Sequence, residues 1–343
     1  MGRNDTQLTH FFLLGFDHLQ SLTIFLFILF LIIYILTVFG NVLIIGLVTV
    51  SQRLKSPMFF FLRNLSLCEI IFTTNIVPKM LQVILEGGSK ISFEGCALQL
   101  YFFGGAGTAE CLLLTSMSYD RYLAICKPLH YSTIMNFKCH LCLVVFCWTA
   151  AIILPAISVS MIFNLYYCGS NVIDHFFCDL APLLELSCSD TSPAEFEVFV
   201  QTIPVFVFTF IYIMATYICI FIAIVKMQST MGRQKAFSTC SSHLTVVSTY
   251  YGTMISLYVT PRGRQSVKVN KTLSLLYSVV TPLLNPIIYS LRSGEIRKAL
   301  ESVIFNKKKT KKVHNNSNHF RENLWADSEK VVLCCDQQKT DSS

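Results

Sequence analysis

Glu69 and Glu110 each sit inside a run of apolar residues long enough to cross a lipid bilayer. A carboxylate at that depth costs about 2.5–3.5 kcal/mol on insertion scales, so it must be protonated, paired or hydrated. Two such acids could share a proton or hold a small cation. Asn41 and Asn285 lie in two other runs, at depths where they could join them. The plain alternative is a pair of protonated acids that only pack. A second constellation is Asp120-Arg121-Tyr122, which closes the run from about Cys96 to Ile125. Asp120 and Arg121 are sequence neighbours and do not face each other across a helix turn. They can still pair at the membrane edge, with Arg121 free to turn inward and change partners, as a two-state switch requires. The plain alternative is an anchor, because Arg and Lys snorkel at helix ends. A third set, His175-Phe-Phe-Cys178-Asp179, has the side chains of a metal site. A disulfide at Cys178 would remove its thiolate, so no metal is expected. No nucleophile stands with a complementary base, and no enzyme is expected.

These groups need a membrane scaffold. The 343 residues are 53% hydrophobic and 14% charged, against about 25% charged in a soluble domain. Seven apolar stretches follow, at about Thr23–Val50, Pro57–Leu85, Cys96–Ile125, Cys139–Ile162, Phe196–Val225, Ala236–Val259 and Thr272–Leu291. About 20 apolar residues cross a bilayer as a helix. Helices are expected because a spanning backbone must satisfy its own hydrogen bonds. The fold class is therefore an all-α membrane protein, a seven-transmembrane helix bundle. Arg53, Lys55, Lys127, Lys138, Lys226, Arg233 and Lys235 mark alternate loops as cytoplasmic. The loop from Asn164 to Glu197 is acidic, without Lys or Arg, and belongs outside. Arg262, Arg264, Lys268 and Lys271 break the rule between the last two spans.

The boundaries are residues 1–22 as an extracellular N-terminus without a cleaved leader, 23–291 as the spanning domain, 292–305 as an amphipathic helix and 306–343 as a disordered cytoplasmic tail. Ile296, Leu300 and Ile304 carry the helical spacing of the surface helix. Asn4-Asp5-Thr6 is a glycosylation sequon that an outside N-terminus would expose. The net charge of +7 owes much to the Lys-rich tail and is not a nucleic-acid signal. Lys307–Lys312 could contact anionic membrane lipid, and Cys334-Cys335 could be acylated; a solvated tail is the simpler reading. Among the 14 cysteines, Cys96, Cys168, Cys178 and Cys188 lie in outer segments. Four cysteines in an oxidising compartment suggest two disulfides, with three possible pairings.

The string Met117-Ser-Tyr-Asp-Arg-Tyr-Leu-Ala-Ile-Cys-Lys-Pro-Leu-His-Tyr131 closely resembles the end of the third helix of olfactory receptors, a branch of the rhodopsin-like G-protein-coupled receptors. Pro57-Met-Phe-Phe-Phe-Leu-Arg-Asn-Leu-Ser66, Lys235-Ala-Phe-Ser-Thr-Cys-Ser-Ser-His-Leu244, the loop Cys168 to Cys188, and Asn285-Pro-Ile-Ile-Tyr289 are similar to further motifs of that branch. The resemblance covers roughly residues 8–304 and is faint in the fourth span. It implies disulfides Cys96–Cys178 and Cys168–Cys188. It implies an activation switch of Asp120, Arg121, Tyr122, Tyr217, Asn285, Pro286 and Tyr289. The polar centre would hold Asn41, Glu69 and Glu110, where related receptors bind sodium; Glu69 replaces the family's usual Asp, so no firm cofactor is assigned. The ligand pocket would lie in the outer half, at Phe103, Gly104, Gly107 and Thr108 of span three and Tyr251, Ile255 and Tyr258 of span six. No acid stands near Phe103, which argues against charged amines and for small, mostly apolar organic molecules.

The expected protein is thus an odorant receptor of the plasma membrane. Its partners would be a small odorant, a stimulatory or olfactory-type heterotrimeric G protein that raises cyclic AMP, and membrane lipid. One alternative is a receptor of the same fold for a non-odorant metabolite outside the nose. Another class is a transporter using Glu69 and Glu110, but no repeats or broken mid-membrane helices support it.

Overall fold

The computed structural model describes residues 9–16, 21–168, 170–259 and 264–302. The chain divides into two compact units, Met1–Gly294 and Glu295–Ser343. Among the described residues the first unit holds seven long helical segments. They are α1 (Thr23–Val50), α2 (Pro57–Glu86), α3 (Phe93–Cys126) and α4 (Phe137–Phe163), then α5 (Ser192–Lys226) and α6 (Thr230–Val259). The last, α7, joins Arg264–Leu275 to Thr281–Arg292 through a wider π-turn at Leu276–Val280. It begins before Thr272, the start expected from the apolar run.

Local chemistry sets the helix ends. Ser92 Oγ accepts from the Gly95 N–H at 3.0 Å and opens α3; Asn136 Oδ1 accepts from the Cys139 N–H at 3.0 Å and opens α4. Each satisfies a backbone donor that the first turn leaves over. Proline loosens two helices inside the bundle. Pro204 lies in a π-turn of α5 at Ile203–Phe208, and Pro282 follows the π-turn of α7. Proline brings no N–H to the ladder, and nearby hydroxyls bond to carbonyls there. Thr209 donates to Phe206 O at 3.0 Å and Thr281 to Leu276 O at 3.2 Å.

Six segments are long and apolar enough to cross a membrane. The remaining one, α6, is as long but rich in Ser and Thr. Thr245, Thr249, Thr253 and Ser256 donate to the carbonyls of Ser241, Thr245, Thr249 and Gly252 at 2.7–2.9 Å. Hydroxyls satisfied by their own helix can enter lipid without the usual penalty. Outward faces are apolar. Ile24, Phe25 and Phe39 of α1, Phe146 of α4 and Phe208 and Phe221 of α5 are all more than half exposed. That is how a bundle solvated by lipid tails looks. By contrast α3 buries Leu113, Leu114 and Met117 completely and contacts α2, α4, α5 and α6.

One end of this unit carries a feature absent from the all-helical expectation. β1 (His10–Leu13) pairs antiparallel with β2 (Ser89–Ser92) and parallel with β3 (Val172–Ile173). The N-terminal segment before α1 is therefore partly structured. Alternation explains it: Phe11 and Leu13 are fully buried while His10 is exposed. Gly88 enters β2 at φ 125°, and a Cβ there would lie 2.7 Å from the Phe12 ring, so glycine is required on both counts. Phe11 stacks with Phe93 and meets Tyr167 edge-on, and shares a core with Leu13, Val83, Leu100 and Ile173. The disulfide Cys96–Cys178 runs through that core, with Cα atoms 5.5 Å apart. Cys168–Cys188 closes the rest of the loop on itself, at 5.8 Å.

In the second unit, residues 295–302 are helical, with Ile296 and Ala299 buried and Arg297, Lys298 and Glu301 exposed. Asn4, the tail 306–343, Lys307–Lys312 and Cys334-Cys335 lie outside the described residues.

Phe11→Ala should cost about 3–5 kcal/mol through the cavity it leaves. The expected result is a clear fall in surface expression and in the melting temperature of purified receptor, while His10→Ala leaves both near the wild-type level.

Candidate functional site

The outer end of α3 is fixed by hydrogen bonds as well as by the disulfide. Gln99 Oε1 accepts from the Cys178 N–H at 2.8 Å, and Gln99 Nε2 donates to Asn75 O at 3.0 Å. Asn75 Nδ2 returns a bond to Gln99 O at 2.9 Å, which locks α2 to α3. Below this clamp lies a cavity of about 200 Å³. Phe103, Gly104, Gly107 and Thr108 of α3 all line it. The glycines serve different ends. A Cβ on Gly104 would meet the Pro155 ring at 3.4 Å, so this position also lets α3 approach α4; one on Gly107 would meet Tyr277 Oη at 3.3 Å across the cavity.

The face that α6 turns to the cavity differs from the expected one. Tyr250 and Met254 line it, whereas Tyr251 and Ile255 do not. Tyr251 is buried one layer behind, hydrogen-bonded to Thr209 at 2.8 Å and packed on Phe206. Ile255 is 39% exposed. The side chain of Tyr258 lies outside the described residues. The rotation of α6 is set by Tyr251 against α5, and it leaves Tyr250 to donate to Gly107 O at 3.2 Å, with its oxygen 3.2 Å from Cys111 Sγ.

The polar wall comes from α4, α5 and the outer loop. Ser158 donates to Gln201 Oε1 at 3.3 Å, and Gln201 Nε2 donates to Glu197. Asp179 also lines the cavity. Its Oδ1 accepts from the Leu180 N–H at 2.8 Å. Burial pushes its carboxyl above the usual range, and that hydrogen bond partly offsets the push. The expectation of an acid-free pocket is thus corrected. The acid comes from the loop that the disulfide folds inward, not from α3.

Beneath the cavity, Asn285 Nδ2 donates to Glu69 Oε1, and Glu110 is a neighbour of Glu69. Glu69 Oε2, Glu110 Oε1 and Asn285 Oδ1 are buried without hydrogen-bond partners. Asn41 is buried but turns its amide to Thr37 O, at 3.0 Å, rather than to these acids. At the far end of α3, Arg121 Nε donates to Asp120 Oδ2 at 2.9 Å, and Tyr131 Oη to Asp120 Oδ1 at 2.7 Å. Tyr217 of α5 and His243 of α6 are 2.6 Å apart, Oη to Nδ1. Tyr289 is buried with its hydroxyl unpartnered, Tyr122 is half-buried, and Pro286 packs against Gly40. Arg121 therefore sits on Asp120, with Tyr217 held by His243.

The olfactory receptor family profile matches residues 30–307. The chain belongs to the olfactory receptor family. The receptor is 45% identical to human olfactory receptor 10A7 over 304 residues, which is 89% of this chain and 96% of that protein. It is 46% identical to human olfactory receptor 11L1 over 302 residues, 88% of this chain and 94% of the relative. Human olfactory receptor 11H4 matches at 46% over 306 residues, 89% and 94% of the two chains. The receptor is accordingly a multi-pass plasma-membrane protein with a seven-helix bundle. Its family consists of G-protein-coupled receptors for small molecules, not enzymes.

Three residues of the receptor take contacts that residue type alone does not assign. His243 lay inside a motif without a role; an imidazole within an apolar span is the clue that marks it. Lys271, one of the basic residues that broke the loop rule, donates to Gly15 O at 2.8 Å and pairs with Asp174 of the acidic loop. The misplaced charge thus has its partner on the same end of the bundle. His175 is buried between Phe176 and Phe177, with ring centroids 4.5 Å from each and neither nitrogen hydrogen-bonded. Cys178 is disulfide-bonded and supplies no thiolate beside it.

Burial, then the nearby Lys271 ammonium, hold the His175 imidazole neutral down to about pH 3. The unfolded imidazole takes up its proton near pH 6.5. Acidification from about 6.5 towards 3 therefore stabilises the unfolded chain and not the fold, and stability falls over that window. Above it the term vanishes. His175→Phe should flatten the acid side of the melting-temperature profile of purified receptor between pH 6.5 and 4. An unchanged slope would remove His175 from the acid response.

Proposed function

We propose that the receptor binds small, mostly apolar odorants in the cavity between α3, α4, α5 and α6. It then activates a stimulatory or olfactory-type G protein that raises cyclic AMP, with its N-terminus outside and its C-terminus in the cytoplasm. The observation that carries this reading is the position of α6. One helix presents Tyr250 to the cavity and His243 to Tyr217 near Arg121. A ligand that favours one placement of Tyr250 thereby biases the far end of the same helix. The bias equals its difference in affinity for the two states and no more. When Tyr217 leaves His243 it becomes a partner for an Arg121 released from Asp120, as does the unpartnered Tyr289 hydroxyl. Tyr122, Asn285 and Pro286 belong to the same switch region. Orientation is supported by Lys127 and Lys138 at the Arg121 end and by the acidic loop at the other.

Glu69, Glu110 and Asn285 fit a monovalent cation, because each presents a buried oxygen without a partner. Sodium there would supply one positive charge, enough to offset one of the two acids.

In cells reporting cyclic AMP, a broad odorant panel should reveal activators of the wild-type receptor. Arg121→Ala should abolish the response at equal surface expression. Gly107→Leu, which fills the cavity, should weaken every activator at least about tenfold, or ~1.4 kcal/mol. Solute uptake that needs Glu110 but not Arg121 would replace the receptor reading with transport. Exchanging external sodium for choline should change basal signalling in wild type and not in Glu110→Gln.

A further inference from the structure

The cavity is not electrically neutral. Among its described lining residues, Asp179 is the sole carboxylate, and no Lys, Arg or His accompanies it. Lys271, a cation of the same end of the bundle, is committed to Asp174 and Gly15. Two further facts fix how Asp179 is held. It follows Cys178, which is bonded both to Cys96 and, through its N–H, to Gln99. Its own Oδ1 caps Leu180, which orients the carboxylate. A positioned, half-buried acceptor therefore lines a space whose apolar walls are Phe103, Val159, Val205, Phe206 and Met254.

We propose that Asp179 is a specificity-determining residue of this cavity: its carboxylate accepts a hydrogen bond from the ligand's head group and selects small molecules carrying an amine or hydroxyl donor over matched ethers and carboxylic acids. The inference rests on the reading of this cavity as the odorant site. Asp179 Oδ1 already accepts from the Leu180 N–H, but a carboxylate has several further lone-pair sites, so a donor on the ligand adds a bond that the loop does not supply. A charge-assisted bond is about twice as strong as a neutral one, so amines gain more than alcohols. A carboxylic acid brings like charge to the same wall and is rejected. A methyl ether of the same skeleton fills the same volume but offers no proton. Ser158 and Gln201, which also line the cavity, are already bonded to each other, and Gln201 to Glu197, so they compete less for the head group.

The test uses the full-length receptor in the cyclic AMP assay. The probes are amines, alcohols, methyl ethers and carboxylic acids built on the same linear, branched, cyclic and aromatic skeletons of about six to ten carbons, a size suited to a small cavity. In wild type, amines and alcohols should be at least about tenfold more potent than their ethers, and acids should be silent. Asp179→Asn keeps a side-chain cap for Leu180, since Asn and Asp cap equally well, and surface labelling checks its folding. It should weaken amines at least about tenfold, alcohols less, and ethers about twofold or less. Acids or ethers outranking the donors, or an equal shift for all classes in Asp179→Asn, would overturn the assignment while leaving the cavity reading intact. If Gly107→Leu leaves every response unchanged, the cavity is not the ligand site and both readings fall. A surface-expressed receptor silent to the whole panel counts against both.

Discussion

The disulfide between Cys96 and Cys178 ties the outer loop to the first turn of α3, and much of the outer half follows from it. Once Cys178 is fixed there, its N–H reaches Gln99, and Gln99 in turn ties α3 to Asn75 of α2. Phe177 comes to rest 5.2 Å from Phe103, and His175 is wedged between phenylalanines. Asp179, next in the chain, caps Leu180 and lines the cavity. A covalent bond of this kind acts chiefly by removing freedom from the alternatives. Here it also decides which side chains the cavity receives.

The inner half depends on a different economy. In lipid, each polar group needs a partner within the bundle. The hydroxyls of α6 use their own backbone, Asn41 uses Thr37, and Trp148 uses Asn64 at 3.1 Å. Against that background the unpartnered oxygens of Glu69, Glu110 and Asn285 stand out, as does the Tyr289 hydroxyl. Several of the buried unpartnered groups, those of Glu69, Glu110, Asn285, His243 and Tyr289, lie between the cavity and Arg121. That is where a bundle with two arrangements must keep groups ready to change partners.

How much of this is legible in the sequence follows from physical range. Charge-free runs such as Thr23–Val50 announce a span because hydropathy sums over many residues, and α6 is the least apolar because its hydroxyls count as polar although they are satisfied. The strands were invisible. β1 has four residues and takes its partners from segments far along the chain, so no local pattern can specify it. The α3 side of the cavity was readable because Gly104, Gly107 and Thr108 share a helical face. On α6 two adjacent tyrosines compete, and residue type cannot say which faces inward. The contact of Tyr251 with Thr209 decides, and that is a tertiary fact. The sequence assigns Asp179 to the loop between the fourth and fifth spans and to no pocket, whereas the fold of that loop brings it to the cavity.

Lys271 has a consequence for how the molecule is made. Its ammonium joins the carbonyl of Gly15 to the carboxylate of Asp174, so the N-terminal segment, the loop before α5 and α7 meet on one side chain. A chain delivered from its N-terminus folds what has already emerged. β1 is among the first segments synthesised, yet β2 must emerge before it can pair, β3 must follow, and the ammonium arrives only with the seventh helix. The contact that joins these three segments is therefore the last to form, and a chain that stalls before the seventh helix lacks it.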